Sequence, residues 1–312
     1  MKLSAVIPTR NRPEDLERAV VSICAQARPP DELVVVDQSA DEESRKRVLR
    51  VFAERGGSIV LDYVLDPSIA GLVAAKKVAV SRAHGDIVCF LEDDIVLEPD
   101  YLEEIERGFV DDPDMVGCCG IVTNLPPMPP FYFRLFHFFH RGVFRDDRVG
   151  VHGNVTGKGH RLIRSDYVSG GLSAYRREVF ARVPFDVENQ FFMLEDVDFS
   201  TRVARAFGPH LYINPNARLD HRMSPMNRAV LGPRQERKVR EFLVFYKKHR
   251  RYGARHAHLA LLLIGLLLEA LFQAGQARRW APLPGYFRGL WRGARWRVQE
   301  PTFAVARSES QA

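Results

Sequence analysis

Over its first 122 residues the chain alternates short apolar runs with longer amphipathic stretches, and this alternation limits the fold more than any other feature. Runs at 3–8, 32–37, 58–64, 87–91 and 116–122 are rich in Val, Ile and Leu, each long enough for one strand. Near-continuous apolar runs of this kind suit strands covered on both faces. Helical patterns fill the gaps near 13–25, 41–55, 71–83 and 99–109. Pro13 suits a first helical turn, with Asn11 as the candidate cap. Such βαβα alternation predicts an α/β fold, a mainly parallel sheet with helices on both faces.

The 312 residues, 46% of them hydrophobic, allow one large domain or a domain with an appendage. Met1-Lys2 leads straight into the first strand run, so no signal peptide is expected. The four cysteines Cys24, Cys89, Cys118 and Cys119 show no Cys-x-x-Cys spacing, which fits a reduced interior without structural zinc. No Gly-x-Gly-x-x-Gly follows the first strand, and no Gly-x-x-x-x-Gly-Lys-Ser/Thr occurs, which disfavours dinucleotide dehydrogenases and P-loop NTPases. From Arg222 onward 18 Lys/Arg face 5 Asp/Glu, a surplus of +13, so the whole-chain charge of +6 leaves −7 for residues 1–221. A basic tail on an acidic body calls for an anionic partner, nucleic acid or the lipids of a cytoplasmic leaflet.

Three acidic sets stand out. Glu92-Asp93-Asp94 closes the fourth strand run, where carboxylates project into the ligand crevice of an open α/β sheet. Their self-repulsion is relieved by a hard divalent ion bridging to phosphate; the plain alternative is a solvated acidic turn. Glu195-Asp196-Val197-Asp198 opens a helix at 195–207, where the helix dipole alone accounts for one carboxylate and Asp198 needs no other role. Asp220-His221 follows a short strand at 210–213.

Regular structure breaks over 123–160, where Pro126-Pro127-Met128-Pro129-Pro130 precedes six aromatics up to Phe139. Such an insertion is either a hydrophobic mini-core or a surface for an apolar acceptor or lipid. A basic helix is expected at 235–250. The Leu-rich run 256–274 is broken by Glu269 and lies near the short limit for a bilayer span, so a re-entrant, interfacial or protein-buried helix is expected. The stretch 286–297 interleaves Arg with Phe, Leu and Trp, as an interfacial amphipathic helix requires.

In order and spacing these features resemble the family 2 glycosyltransferases, which have the GT-A fold. Val6-Ile7-Pro8-Thr9-Arg10-Asn11-Arg12 resembles their first-strand signature, and Val34-Val35-Val36-Asp37 their second strand, ending on a nucleobase-binding aspartate. Gly71 to Lys77 followed by Gly85-Asp86 resembles their Gly-x-x-x-Ala-Arg-Asn…Gly-Asp segment. Glu92-Asp93-Asp94 stands at their Asp-x-Asp. Ser169-Gly170-Gly171 through Phe180, then Leu194 to Phe199 with Arg202, is similar to their acceptor-side half. Asp220-His221 matches their late histidine. Glu92 stands for Asp, Asp66 for Asn, and Lys76-Lys77 for Arg-Asn, departures that leave the base and sugar preference open.

The resemblance implies a GT-A-like, Rossmann-type catalytic domain over 1–221, and the tail's own apolar and basic pattern predicts a helical, membrane-associating extension over 222–312. The resemblance implies an inverting transfer of sugar from a nucleoside diphosphate to a hydroxyl acceptor, and the aromatic insertion and tail point to a polyprenyl-linked or cell-surface glycan as that acceptor. Pro8, Thr9, Arg10, Arg12, Asp37, Asp66, Lys76 and Asp93 would hold the nucleotide. Asp94, His221 and Glu92 would hold Mn²⁺ or Mg²⁺, the imidazole favouring Mn²⁺. Asp196 would be the general base, Glu195 would assist it or hold a sugar, and Gly170 and Gly171 would let backbone approach the sugar. The expected location is the cytoplasmic face of a membrane, peripheral or re-entrant, bound to anionic lipids and not to nucleic acid. The rival enzyme is a sugar-1-phosphate nucleotidyltransferase, which needs a Gly-rich loop where Pro8 to Pro13 has none. A non-enzymatic membrane- or RNA-binding scaffold is the other alternative.

Overall fold

The computed structural model describes residues 1–223 and 230–299; the parts of the expected extension at 224–229 and 300–312 lie outside the described residues. Strands β1 (Leu3–Thr9), β2 (Glu32–Asp37), β3 (Val60–Leu65), β4 (Ile87–Phe90), β5 (Ile95–Leu97), β6 (Gly117–Val122), β7 (Ile163–Arg164), β8 (Ser173–Arg176) and β9 (Leu211–His221) form one sheet. Its order is β3-β2-β1-β4-β8-β6-β9-β5, with β7 paired to β9. β3, β2, β1 and β4 run parallel, as does β6 beside β9, while β8 is antiparallel to both β4 and β6.

Crossovers α1 (Pro13–Cys24), α2 (Glu43–Arg55) and α3 (Leu72–Arg82) link the parallel strands, and α4 (Tyr101–Asp111) precedes β6. On α1, Leu16, Ala19, Val20 and Ile23 share the buried face at helical spacing. Arg12, not Asn11, takes the N-cap position, without a side-chain cap. Asn11 instead turns the chain at φ 55° while its N–H donates to Ser39 Oγ at 2.8 Å.

β9 runs well past the expected short strand. Asn214-Pro215-Asn216 interrupts the apolar pattern, but Ala217 and Leu219 resume it on the buried side. The register against β6 shifts between Cys119 and Ile121, which accommodates a proline that cannot donate to the ladder. This length matters because it carries His221 to the end of the sheet.

The insertion forms α5 (Pro130–Phe139), which has no buried residue, followed by two 3-10 turns and a stretch of loop. Phe144 from the first turn is buried, so the insertion contributes to a core and also leaves an aromatic surface. After α6 (Glu178–Arg182) and α7 (Glu195–Phe207) come α8 (Leu231–His249), α9 (His256–Ala277) and α10 (Pro282–Arg295). These last three helices build a second core with Phe144, Tyr167, Phe191, Leu194 and Val197 of the sheet-bearing body. α10 lies close on α8 along Gly285, Gly289 and Gly293, where a Cβ at Gly289 would fall 2.6 Å from the Glu236 carbonyl oxygen.

Candidate active site

The carboxyl ends of β1 and β4 open into a cleft of about 610 Å³, the usual ligand position in open α/β sheets. Pro8, Thr9, Arg10 and Arg12 form one wall. Phe90 to Asp94 form the floor, and Gly71, Leu72 and Lys76 come from the start of α3. Gly170 and Gly171 precede β8, and His221 ends β9.

The acidic triplet divides its work. Asp93 is tied inward, accepting from Thr9 Oγ1 and from the Arg12 guanidinium, both at 2.7 Å. Burial pushes its carboxyl up, and the Arg12 charge opposes this. Asp94 lies 3.5 Å from Arg12 and presents Oδ1 to His221 Nε2 at 3.0 Å. The same ring nitrogen is 3.2 Å from Glu92 Oε2. Antiparallel pairing sets Ile95 opposite His221, which brings β9 to the end of the acidic run. Glu92, Asp94 and His221 thus offer ligand atoms within 4.8 Å of one another. Two carboxylates and one imidazole fit a divalent cation, with the nitrogen suiting Mn²⁺ better than Mg²⁺.

The second acidic set meets the first through two glycines. Glu92 N–H donates to the Gly171 carbonyl at 2.9 Å, and Gly170 N–H to Asp196 Oδ2 at 3.3 Å. A Cβ on Gly170 would fall 2.1 Å from Glu195 Oε1, and one on Gly171 2.2 Å from Glu92 Cδ. The close approach that these glycines permit is therefore to the carboxylates themselves. Glu195 is buried and paired with Lys76, whose Nζ also donates to the Gly170 carbonyl at 2.9 Å. Burial raises the Glu195 carboxyl against the pull of Lys76. Lys76, expected on the nucleotide, is thus engaged by Glu195 and the glycine loop.

Asp196 is held on both oxygens. Oδ1 accepts from Val197 N–H at 2.8 Å, and Oδ2 accepts from Arg148 at 2.6 Å. Arg148 comes from the insertion and also forks onto Asp146. Sequence gave no hint of this pairing, because Arg148 is one of many arginines and lies 48 positions from its partner.

Four expected residues lie off the cleft lining: Glu195 and Asp196, which pack against Gly170, and Asp37 and Asp66. Asp37 is fully buried, accepting from Tyr63 Oη at 2.6 Å and Ser39 N–H at 2.9 Å; its neighbour Gln38 faces the cleft. Asp66 ends its strand in an exposed turn, accepting from Ser68 N–H at 2.9 Å and Ser68 Oγ at 2.6 Å. The cleft also includes Phe192, Met193, Arg234 and Arg237. The two arginines belong to the basic tail, whose charge pointed to lipid rather than to the cleft. Asp198 is another correction: it is buried beneath α8 and does more than complement a helix dipole.

The family model for glycosyl transferase family 2 matches residues 4–183. A glucosyl-dolichyl phosphate glucuronosyltransferase of Haloferax volcanii is 26% identical over 235 residues, 72% of this chain and 70% of that protein. A hyaluronan synthase of Streptococcus pyogenes is 25% identical over 197 residues, 62% of this chain, which spans 44% of the synthase. Among solved structures, a mannosyltransferase from Pyrobaculum calidifontis, in complex with GDP-Man and Mn²⁺, aligns with a TM-score of 0.59 at 18% identity. That alignment covers 94% of this chain and 75% of the mannosyltransferase and shows a shared fold. With more than half its length matched, the chain belongs to glycosyl transferase family 2.

Proposed function

We propose that the protein transfers a sugar from a nucleoside diphosphate to a hydroxyl acceptor with inversion, the cleft holding the donor and Asp196 acting as general base. The observation that carries this reading is the Gly170-Gly171 bridge. It links the Glu92–Asp94–His221 cluster on the cleft to Asp196, which lies against the glycine loop and off the cleft lining. A divalent cation on that cluster would neutralise charge on the departing diphosphate.

The chain's own residues supply the rest. Thr9 and Arg12 fix Asp93 and close the nucleotide side. Arg10 and Gln38 line the path to the base-binding end, with Asp37 stiffened behind them by Tyr63. Glu195 and Lys76 lock the glycine loop. Asp196, on the far side of that loop, would take the acceptor proton as the sugar transfers. Attack opposite the leaving group inverts the anomeric centre. The acceptor in this reading is lipid-linked, delivered at a membrane surface by α5, α9 and α10, whose exposed aromatic and apolar side chains support it.

The test is nucleoside diphosphate release from a panel of sugar nucleotides, each with Mn²⁺, with Mg²⁺ and with chelator. One donor should turn over, and chelator should abolish release. Asp196→Asn should bind that donor with little change while turnover falls by ~10²–10⁴. Release of pyrophosphate, or full turnover in excess chelator, would sink the reading.

A further inference from the structure

We infer that Asp146, on the aromatic insertion, sustains the basicity of Asp196 by sharing the charge of Arg148, while Arg148 fixes the orientation of the Asp196 carboxylate. The inference rests on Asp196 being the base.

The guanidinium of Arg148 is divided between two carboxylates. Its Nε and one terminal nitrogen grip Asp146 Oδ1 and Oδ2 at 2.9 and 2.7 Å, and the other terminal nitrogen reaches Asp196 at 2.6 Å. Arg148 is 7% exposed and stacks its charge over the Tyr167 ring, 5.8 Å from the centroid. A planar, always-charged fork is a good orienting group. Alone against a base it would be harmful: an opposite charge within 4–6 Å lowers a carboxyl pKa by about 1–3 units, and a weaker base accepts a proton less readily. The second carboxylate resolves this conflict. Asp146, Arg148 and Asp196 together keep one net negative charge, so the base is oriented without being fully neutralised.

The surroundings agree. Burial opposes the Arg148 charge, and Asp196 and Asp146 outweigh burial. Burial would raise Asp146, yet Arg148 holds it below the usual carboxylate range. The other titratable groups around Asp196 are His152 of the insertion, Cys119 of β6, Tyr175 of β8 and the adjoining Glu195–Lys76 pair. His152 is pushed down to about 4 by burial and Arg148, and its Nδ1 accepts from Val122 N–H at 3.1 Å. Burial pushes the Cys119 thiol up to about 11 and raises the Tyr175 hydroxyl. These three are uncharged near neutral pH, and Glu195 is matched by Lys76. Arg148 is thus the charged side chain bonded to the Asp196 carboxylate, and Asp146 is the second carboxylate on the same guanidinium.

The experiment is the pH–rate profile of transfer at saturating donor and Mn²⁺ for wild type, Asp146→Asn, Arg148→Gln and Arg148→Lys, with Asp196→Asn alongside. Asp146→Asn leaves the full Arg148 charge on the base, so the acid limb should move down by about one unit and the plateau should fall. Arg148→Gln removes that charge, so the limb should move up by about one unit. Arg148→Lys should return it towards wild type. Loss of rate in both charge-removing variants with an unmoved limb, or limbs moving the same way, would overturn the inference and leave the base reading intact. Retained turnover in Asp196→Asn would overturn the base reading, and the inference with it. If Asp146→Asn does not fold, Arg148→Gln and its Lys rescue decide, since structural damage does not raise a limb.

Discussion

The Asp198 carboxylate receives partly buried Arg202 Nε at 2.8 Å, and Lys248 Nζ at 2.8 Å and His249 Nε2 at 2.9 Å, the last two with almost no solvent access. Burial would raise its carboxyl; Arg202, the His249 hydrogen bond and Lys248 outweigh burial and hold it well below the usual range. Lys248 also pairs with buried Asp186, so the cluster ties α8 to α7 and to the loop before it. An amide at 198 would leave Lys248 and Arg202 short of a counter-charge. Breaking one partner of a buried pair costs about 3–5 kcal/mol. Asp198→Asn should therefore lower the unfolding free energy from urea denaturation at neutral pH by an amount in that range. A change below about 1 kcal/mol would mean that solvent or Asp186 takes over the cations. The acid is thus an anchor for the helix that bears Asp196.

At the scale of elements, α8 holds the loop that leads into the candidate base. Glu241 is 1% exposed and accepts from Phe192 N–H at 3.1 Å, Met193 N–H at 2.7 Å and Leu194 N–H at 3.0 Å. Burial raises its carboxyl, and the three amides and Arg240 work against that. Phe192 and Met193 line the cleft, and Glu195 follows directly. Glu241→Gln would replace the charged acceptor of these three N–H groups, the single oxygen Oε2, with a neutral amide. Hydrogen bonds to a charged group contribute about 1.5–3 kcal/mol each, so the loop should loosen. Transfer should fall at least ~10-fold and donor KM should rise, measured where a melting curve shows both proteins folded. Unchanged kcat and KM would show that the loop is held by its other contacts. None of this was legible in sequence, since a glutamate inside a basic helix reads as a solvated i,i+4 partner. The parallel half was legible to within one or two residues, because continuous apolar runs and helical periodicity are local signals. β5 and β8, with three and four residues, carry too little pattern to be seen. The grouping of Glu92, Asp94 and His221 was legible from motif order. The Arg148–Asp196 contact was not, because pairing across the insertion depends on the finished fold.

At the scale of the whole molecule, the C-terminal helices present one face to the protein and the other to solvent. On α9, Leu262, Leu266, Ala270 and Ala274 are buried, while Ile264, Leu268, Leu271 and Phe272 are about half exposed. α9 is long and apolar enough to cross a membrane, with mean hydropathy 1.9. Its contacts hold it against α8 and α10 instead. Glu269 pairs with Lys238 at 2.6 Å, Gln235 donates to the Leu266 carbonyl at 2.9 Å, and Tyr286 Oη donates to the Leu263 carbonyl at 3.0 Å. Spanning would break these contacts and strip the second core. α5 packs against α9 through Phe139 on Gly265, and its exposed Phe131, Tyr132 and Phe138 add to the apolar side of the molecule. Phe287 and Trp291 of α10 are exposed among arginines, suiting headgroup depth. Truncation before His256 would uncover the second core, so surface substitutions are the cleaner probe. Each fully buried Leu, Ile or Phe contributes about 1.5–3 kcal/mol, and partial immersion of three side chains should still be decisive. Ile264→Ser, Leu268→Ser and Phe272→Ser together should reduce flotation with anionic vesicles by ~100-fold or more, with the melting temperature nearly unchanged. Raising salt to about 1 M should weaken wild-type binding without abolishing it, because only the arginine contribution is screened. Flotation of the triple variant equal to wild type would remove α9 from the membrane contact. Protection of the C-terminus from protease inside sealed vesicles would instead make α9 a span.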